Sequence, residues 1–239
     1  MEFKFGSNNY EFKPKVVPLV SFLIAFSMLL TLSFWQVKRL QWKTEIIKNR
    51  TTSYEIDAIK LSSFKKPEDN EFRKVIVEGE LLNDKEMFMP ALSKNGNNGF
   101  HILVPLKTIN QKYYIYDTGW IPLRLKKQSE RENNLHNSNV KLEAVIRSPG
   151  RKGYFQPEND DLKNVWFFVE PSKMSNFSSI DFEQDIYLEA YENGPNGFPI
   201  GNQTRIYLRN SHLQYALTWF FLSLGLAGVF LSSNIKKTS

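Results

Sequence analysis

His212 is the residue in this chain best placed to do chemistry, because it stands at the mouth of a long apolar stretch. The run reads Arg209-Asn210-Ser211-His212-Leu213-Gln214-Tyr215-Ala216-Leu217-Thr218-Trp219. Ionisable side chains are costly at membrane depth, so an imidazole at such a boundary is a functional-site hypothesis. At helical spacing Tyr215, Ala216 and Trp219 fall at +3, +4 and +7 and are expected to stack beside it on a bundle-facing side. A neutral imidazole nitrogen is a good axial ligand for haem iron, and a small residue among flat aromatics would leave a slot for a porphyrin face. Trp219 lies about 10 Å deeper by helical rise, comparable with a macrocycle's width. An interfacial aromatic belt would show the same spacing, so periodicity leaves both readings open.

Other chemistries find little support. The chain has no cysteine, which removes disulfides, thiolate metal sites and covalent c-type haem attachment together. It also lacks His-Glu-x-x-His and Gly-x-Ser-x-Gly motifs, and no nucleophile, base and orienting acid cluster together, so no enzymatic activity is expected. The remaining histidines, His101 in an expected strand and His136 in the polar stretch 132–139, read as structural or solvated. Met87 and Met89 stand two apart and share one strand face, which reads as packing before a soft copper site. The glycine-rich run 193–202 has neither the strand-turn-helix context nor the Gly-Lys-Ser/Thr of a phosphate cradle.

The elements that must position His212 begin with two uncharged stretches, 22 residues from Val16 to Val37 and 21 from Leu213 to Ser233. At about 1.5 Å per residue each matches the roughly 30 Å hydrocarbon core of a bilayer. The first is too long for the apolar region of a cleavable signal peptide, usually about 7 to 15 residues, and ends at Trp35-Gln36 without a small-residue cleavage site. The second is apolar on every face, unlike most soluble helices. Residues 1–15 and 234–239 are therefore expected as tails on one side and 38–212 as a domain on the other, with spans at 16–37 and 213–233. Small residues at four-residue spacing, Ser21 with Ala25 and Ser223 with Ala227, would let the spans pack closely.

The net charge of +6 divides evenly, with five basic residues against Glu2 and Glu11 in the tails and 26 against 23 in the loop. A domain so nearly balanced is not a nucleic-acid binder. A long loop crosses a membrane largely regardless of its charge, so the basic residues at either end do not fix orientation. Glu2 and Glu11, with no arginine before the first span, are unlike a mitochondrial transit peptide and point to a bacterial inner membrane.

Residues 37–56 are expected to continue the first helix out of the membrane, with Trp35, Lys38, Arg39 and Lys43 at head-group level. From Phe72 the pattern changes to short runs rich in β-branched and aromatic residues, with strands expected at 73–81, 100–106, 113–121, 140–147, 165–169 and 186–192. Pro171 favours one short helical turn over 171–177. The class expected is membrane α+β: two transmembrane helices flanking an extracytoplasmic, mainly antiparallel β domain, barrel-like or sandwich-like.

Three segments in order carry a resemblance. Phe34-Trp35-Gln36-Val37-Lys38-Arg39-Leu40-Gln41-Trp42-Lys43, Asp117-Thr118-Gly119-Trp120-Ile121-Pro122 and Tyr207 to Phe220 resemble signatures of the surfeit-locus family, assembly factors for cytochrome c oxidase. Asp117-Thr118 departs from the family's usual Asn-Arg before Gly119-Trp120. The resemblance implies an assembly factor, not an enzyme, that binds haem a and helps its insertion into the oxidase large subunit. His212 matches the family's implicated histidine and would be the axial ligand of the haem iron, with Tyr215 and Trp219 lining the site. It also implies cytoplasmic termini and a periplasmic β domain in the bacterial inner membrane. The expected partners are the haem-copper oxidase large subunit, haem a synthase and membrane lipid, with no nucleic acid. The alternative is a cofactor-free membrane scaffold for oxidase assembly intermediates.

Overall fold

The computed structural model describes residues 2–5, 8–136, 139–150 and 152–238. Of the polar stretch at 132–139, residues 137 and 138 therefore lie outside the described residues. In chain order the elements are β1 (Glu2–Phe5), β2 (Asn8–Phe12), α1 (Val16–Glu55), β3 (Ile59–Lys60), β4 (Lys74–Leu81), β5 (Met87–Leu92), β6 (Asn98–Thr108), β7 (Tyr113–Pro122), β8 (Val140–Arg147), α2 (Pro171–Ser178), β9 (Tyr187–Ala190), α3 (His212–Asn234) and β10 (Ile235–Thr238). They form two compact units, Met1–Lys48 with Leu208–Ser239, and Asn49–Tyr207.

The first unit is a helix pair with a small antiparallel sheet in the order β1-β2-β10. Helix α1 has 40 residues, about 60 Å of helix and twice the hydrocarbon thickness. Its first half is the apolar run and its second half carries the basic residues, as expected from composition. Helix α3 has 23 residues, and both helices are long and apolar enough to cross a membrane. The two run antiparallel. Phe22 stacks on Phe230 at 4.1 Å between ring centroids, Ser33 Oγ donates to Ala216 O at 2.9 Å, and Gln36 meets His212 at 2.6 Å. Farther along, Asn210 Nδ2 donates to Thr44 Oγ1 at 3.1 Å. As residue numbers climb along α1 they fall along its partner, the signature of an antiparallel seam.

Small residues make that seam possible, in part at the positions expected. Ala216 and Ser223, seven apart, are buried on α3, which lets the backbones approach. Ser21 is exposed, and the aromatic stack of Phe22 takes its place. Contact between the two apolar helices occurs as expected, with Ser223 of the expected pair buried and Ala216 buried two turns before it on the same face of α3.

The second unit is a closed sheet. Strands follow the order β3-β4-β8-β9-β7-β6-β5, and an additional β4–β6 pairing closes β4, β8, β9, β7 and β6 into a ring. Most pairings are antiparallel, while β7–β9 and β3–β4 are parallel. Closure takes place at Gly79, which pairs with Val140 on one side and Thr108 on the other. A Cβ there would stand 2.3 Å from Lys107 O, so only glycine lets β6 come this close to β4.

Period-two alternation sorts the side chains into two cores. Val75 and Val77 of β4, Ile102, Val104 and Leu106 of β6, Tyr114 and Tyr116 of β7, Ile146 of β8 and Leu188 of β9 fill the interior. The intervening Leu103 and Ile115 point outward with Met87 and are covered by Trp166, Met174 of α2 and Phe182. Strands β6 and β7 are thus buried on both faces. This explains why their sequences read as nearly continuous apolar runs. Met87 and Met89 both join the outer core while Phe88 packs against the inner one, the packing role expected from their spacing.

Two expectations are corrected. Residues 165–169 form no strand; Val165 makes only isolated bridges to Phe88 and Asp160, because Trp166 and Val169 turn inward to cover the sheet. The expected short turn after Pro171 is a complete α2 of eight residues.

Gly79→Ala should destabilise the closed sheet by about 1–3 kcal/mol through forced overpacking. Gly150→Ala, where an added Cβ meets nothing within 4 Å, should leave the midpoint unchanged. Denaturant unfolding of the detergent-solubilised protein, followed by tryptophan fluorescence, measures both.

Candidate functional site

In the helix-pair unit, His212 opens α3 and its Nδ1 lies 2.6 Å from Gln36 Oε1. An amide oxygen only accepts, so Nδ1 carries a proton and donates, and in a neutral imidazole the lone pair then lies on Nε2. This is the usual outer-shell arrangement for a metal-ligating histidine, whose second nitrogen donates to a carbonyl or carboxylate that fixes tautomer and ring plane. Gln36 is the one residue of α1 that is buried. It is the side chain that sequence reasoning missed as the imidazole's partner. An uncharged amide inside an apolar run, with a polar group expected across the helix pair, was the available signal.

His212 shares an open hollow of about 300 Å³ with Lys43, Arg209, Ser211 and Tyr215. Tyr215 is 52% exposed and lines this hollow, whereas Ala216 is only 4% exposed and faces α1. The small residue therefore seats the helix pair and does not form a porphyrin slot. Trp219 is half-buried and is not among the lining residues. Of the three site residues expected from periodicity, His212 and Tyr215 line one hollow. Tyr215 and Ala216 are adjacent and stand about 100° apart around the helix, so one lines the hollow and the other faces α1. The donor set, an oriented imidazole with a free Nε2 beside a hollow, fits an axial ligand for haem iron.

In the closed-sheet unit, the Gly119-Trp120 strand end has a structural explanation. Trp120 and Ile200 exchange backbone hydrogen bonds at 2.9 and 2.8 Å, and the indole Nε1 donates to Ala91 O at 3.2 Å. Gly119 has φ +113°, and a Cβ there would come within 2.2 Å of Ile200 O, so the position needs glycine. Just before it, Asp117 bonds His101: Nδ1 lies 2.7 Å from Oδ2, while Oδ1 accepts from the Gly119 N–H at 2.9 Å. The Asp117 that departs from the family pattern thus serves as the partner of His101. Nearby, Glu189 accepts from Arg147, Tyr187 and Thr204 at 2.8, 2.8 and 2.5 Å.

Burial opposes charge on His101, yet the Asp117 carboxylate outweighs it and raises its pKa above 6.5, aided by Glu189 and opposed by Arg205. Burial alone lowers that of His136, whose carbonyl accepts from Asn83. Both histidines serve the domain's packing, as their sequence contexts suggested. Among the described residues no cluster of three or more His, Asp or Glu side chains could hold a bare metal ion.

The SURF1 family model matches residues 23–224. A SURF1-like protein of Caenorhabditis briggsae is 30% identical over 218 residues, 81% of this chain and 68% of that protein. A SURF1-like protein of Rickettsia felis is 26% identical, over 87% of this chain and 93% of its own length. The cytochrome oxidase assembly protein SHY1 of Saccharomyces cerevisiae is 24% identical over 92% of this chain and 74% of that one.

A raised histidine pKa in the folded state means that the His101–Asp117 pair stabilises fully below the unfolded value of about 6.5 and loses its contribution as pH rises through the folded value. The unfolding midpoint of the wild type should therefore fall as pH climbs above about 6.5, and Asp117→Asn should flatten that slope. Denaturant titrations at a series of pH values test this; an unchanged slope in the variant would remove the pair as its source.

Proposed function

The chain belongs to the SURF1 family, and from that premise we propose that it promotes cytochrome oxidase assembly by holding haem a at His212 for transfer to the oxidase large subunit. The single observation that carries the haem part of this reading is the Gln36–His212 hydrogen bond. It orients the imidazole so that its unprotonated nitrogen is available to iron. The assembly part is supported by the similarity to the yeast protein whose name describes cytochrome oxidase assembly.

Haem a is here a cargo, and the iron's open coordination site is what the cargo contributes. His212 Nε2 supplies one axial ligand. Gln36 keeps the ring plane and tautomer fixed, and Tyr215 offers an aromatic wall at the edge of the hollow. A single protein ligand would hold the cargo less firmly than two, which suits a transient carrier. Trp219, outside the hollow's lining, is assigned to the helix surface in this reading.

Two helices long and apolar enough to cross a bilayer support a membrane protein, and a bacterial inner membrane with cytoplasmic termini and a periplasmic β domain suits the composition and the function. The oxidase large subunit and haem a synthase would then be the partners that receive and supply the cargo. No step requires the chain to break or make covalent bonds.

Wild type purified from cells making haem a should carry a Soret band that His212→Ala loses. Gln36→Leu should lower haem occupancy by roughly 10- to 100-fold in affinity, the usual cost of an outer-shell partner. Gln36→Glu, which still accepts from Nδ1, should restore most of it. Equal Soret intensity in wild type and His212→Ala would remove the histidine from this role, and a colourless wild type would leave only a scaffold for assembly.

A further inference from the structure

Lys43 and Arg209 line the same hollow as His212 and, among the described residues, form no ion pair with a carboxylate. Arg209 Nε donates to Ser211 Oγ at 3.1 Å, which turns the guanidinium along the start of α3 and leaves its remaining donors open. Neither charge serves the helix seam, which is made by Phe22, Ser33, Gln36 and Thr44. Two cations beside an oriented imidazole therefore lack a structural use.

Their placement is regular. Lys43 follows Gln36 by seven residues, which returns it to the same face of α1 about 10 Å farther along. Gln36 holds His212, so Lys43 stands two turns away from the imidazole on the α1 side, while Arg209 stands three residues before it on the other chain segment. The N-terminus of α3 adds to the positive potential, because Ser211 provides no side-chain cap to its free N–H groups and the helix dipole places partial positive charge there. A ligand that satisfies this arrangement needs a metal for the imidazole and negatively charged oxygens displaced from that metal toward the cations.

We propose that Lys43 and Arg209 form a carboxylate clamp that binds the propionate groups of the tetrapyrrole held at His212. The clamp deepens the haem-carrier reading and rests on it for its cargo. A guanidinium can take a carboxylate through two parallel N–H donors, and a lysine ammonium adds a compact charge. The two contacts fix the rotation of the macrocycle about the iron–imidazole axis, which a single axial ligand leaves free. The same oxyanion chemistry is offered by the phosphates of anionic lipid, so the test separates the two sources.

Metal-free protoporphyrin IX is the probe, because without iron its binding does not depend on an axial ligand and the result stands apart from the His212→Ala haem experiment. The full-length protein is placed in phosphatidylcholine nanodiscs, with and without phosphatidylglycerol, and binding of the diacid and of its dimethyl ester is followed by fluorescence. Wild type should prefer the diacid. The pair of substitutions Lys43→Gln and Arg209→Gln should weaken diacid binding by at least about tenfold, the scale of lost hydrogen bonds to charged groups, and leave the ester unaffected. Arg209→Lys should retain part of the preference. Equal affinity of wild type for diacid and ester overturns the clamp, as does an equal loss of both in the double variant. Unchanged diacid binding with a loss confined to phosphatidylglycerol retention overturns it too and makes the cations head-group anchors.

Discussion

The Gln36–His212 hydrogen bond is the constraint on which the helix-pair unit depends. Each partner would be a liability alone: an amide inside an apolar helix and an imidazole at the head of another both lose hydration when the helices meet. Together they satisfy one another at 2.6 Å and set the register of the antiparallel seam between Ser33–Ala216 on one side and Thr44–Asn210 on the other. Because lipid is as apolar as leucine, association of such helices rests on close backbone approach and on polar contacts, not on hydrophobic burial. Ala216 and Ser223 provide the approach, and Gln36 provides the polar contact. The interaction that aligns the helices is thus the same one that orients the imidazole.

The closed-sheet unit solves its own problem with different physics. A ring of five strands has no exposed edge at β4 or β6, and its two cores come from one alternating pattern read on both faces. Gly79 and Gly119 mark the places where backbones come too close for a side chain. Between them the buried Arg131–Glu86 ion pair, with Arg131 also donating to Leu125 O at 2.9 Å, ties the loop after β7 to the segment before β5. Such a pair is costly to break from one side, since removing either partner strands a charge in the interior.

Much of this was legible in the chain. The two uncharged runs announced α1 and α3 by length alone, and the β-branched runs located β4, β6, β7, β8 and β9 within a residue or two, because period-two patterning survives without any knowledge of partners. Residues 165–169 failed for a physical reason: Trp166 and Val169 are apolar and β-prone, but they cover a sheet, and Val165 makes only isolated bridges. Closure at Gly79 was hidden, since nothing local distinguishes a glycine that lets a second strand come this close. At the site, His212 stood out because polar residues at an apolar boundary are conspicuous, whereas its partner lies 176 residues away. Spacing along α3 could place Tyr215 and Ala216 near the imidazole. It could not decide which of them faces α1, because that depends on where Ser33 stands.

The haem carrier proposed above would have to combine retention with release, and the composition of the helix-pair unit bears on how it could. His212 is the only histidine in Met1–Lys48 and Leu208–Ser239, and the chain has no cysteine, so the imidazole and thiolate ligands of that unit reduce to His212. Two strong axial ligands would saturate the iron and make exchange depend on breaking one of them first. With a single imidazole, the remaining affinity has to come from contacts at the rim of the macrocycle, where Lys43, Arg209 and Tyr215 line an open hollow. Rim contacts are exposed to water and to competing groups, and each can be exchanged separately. A site built from one oriented ligand and a charged, open rim is therefore suited to handing its cargo on in small steps, each with a lower barrier than simultaneous loss of every contact.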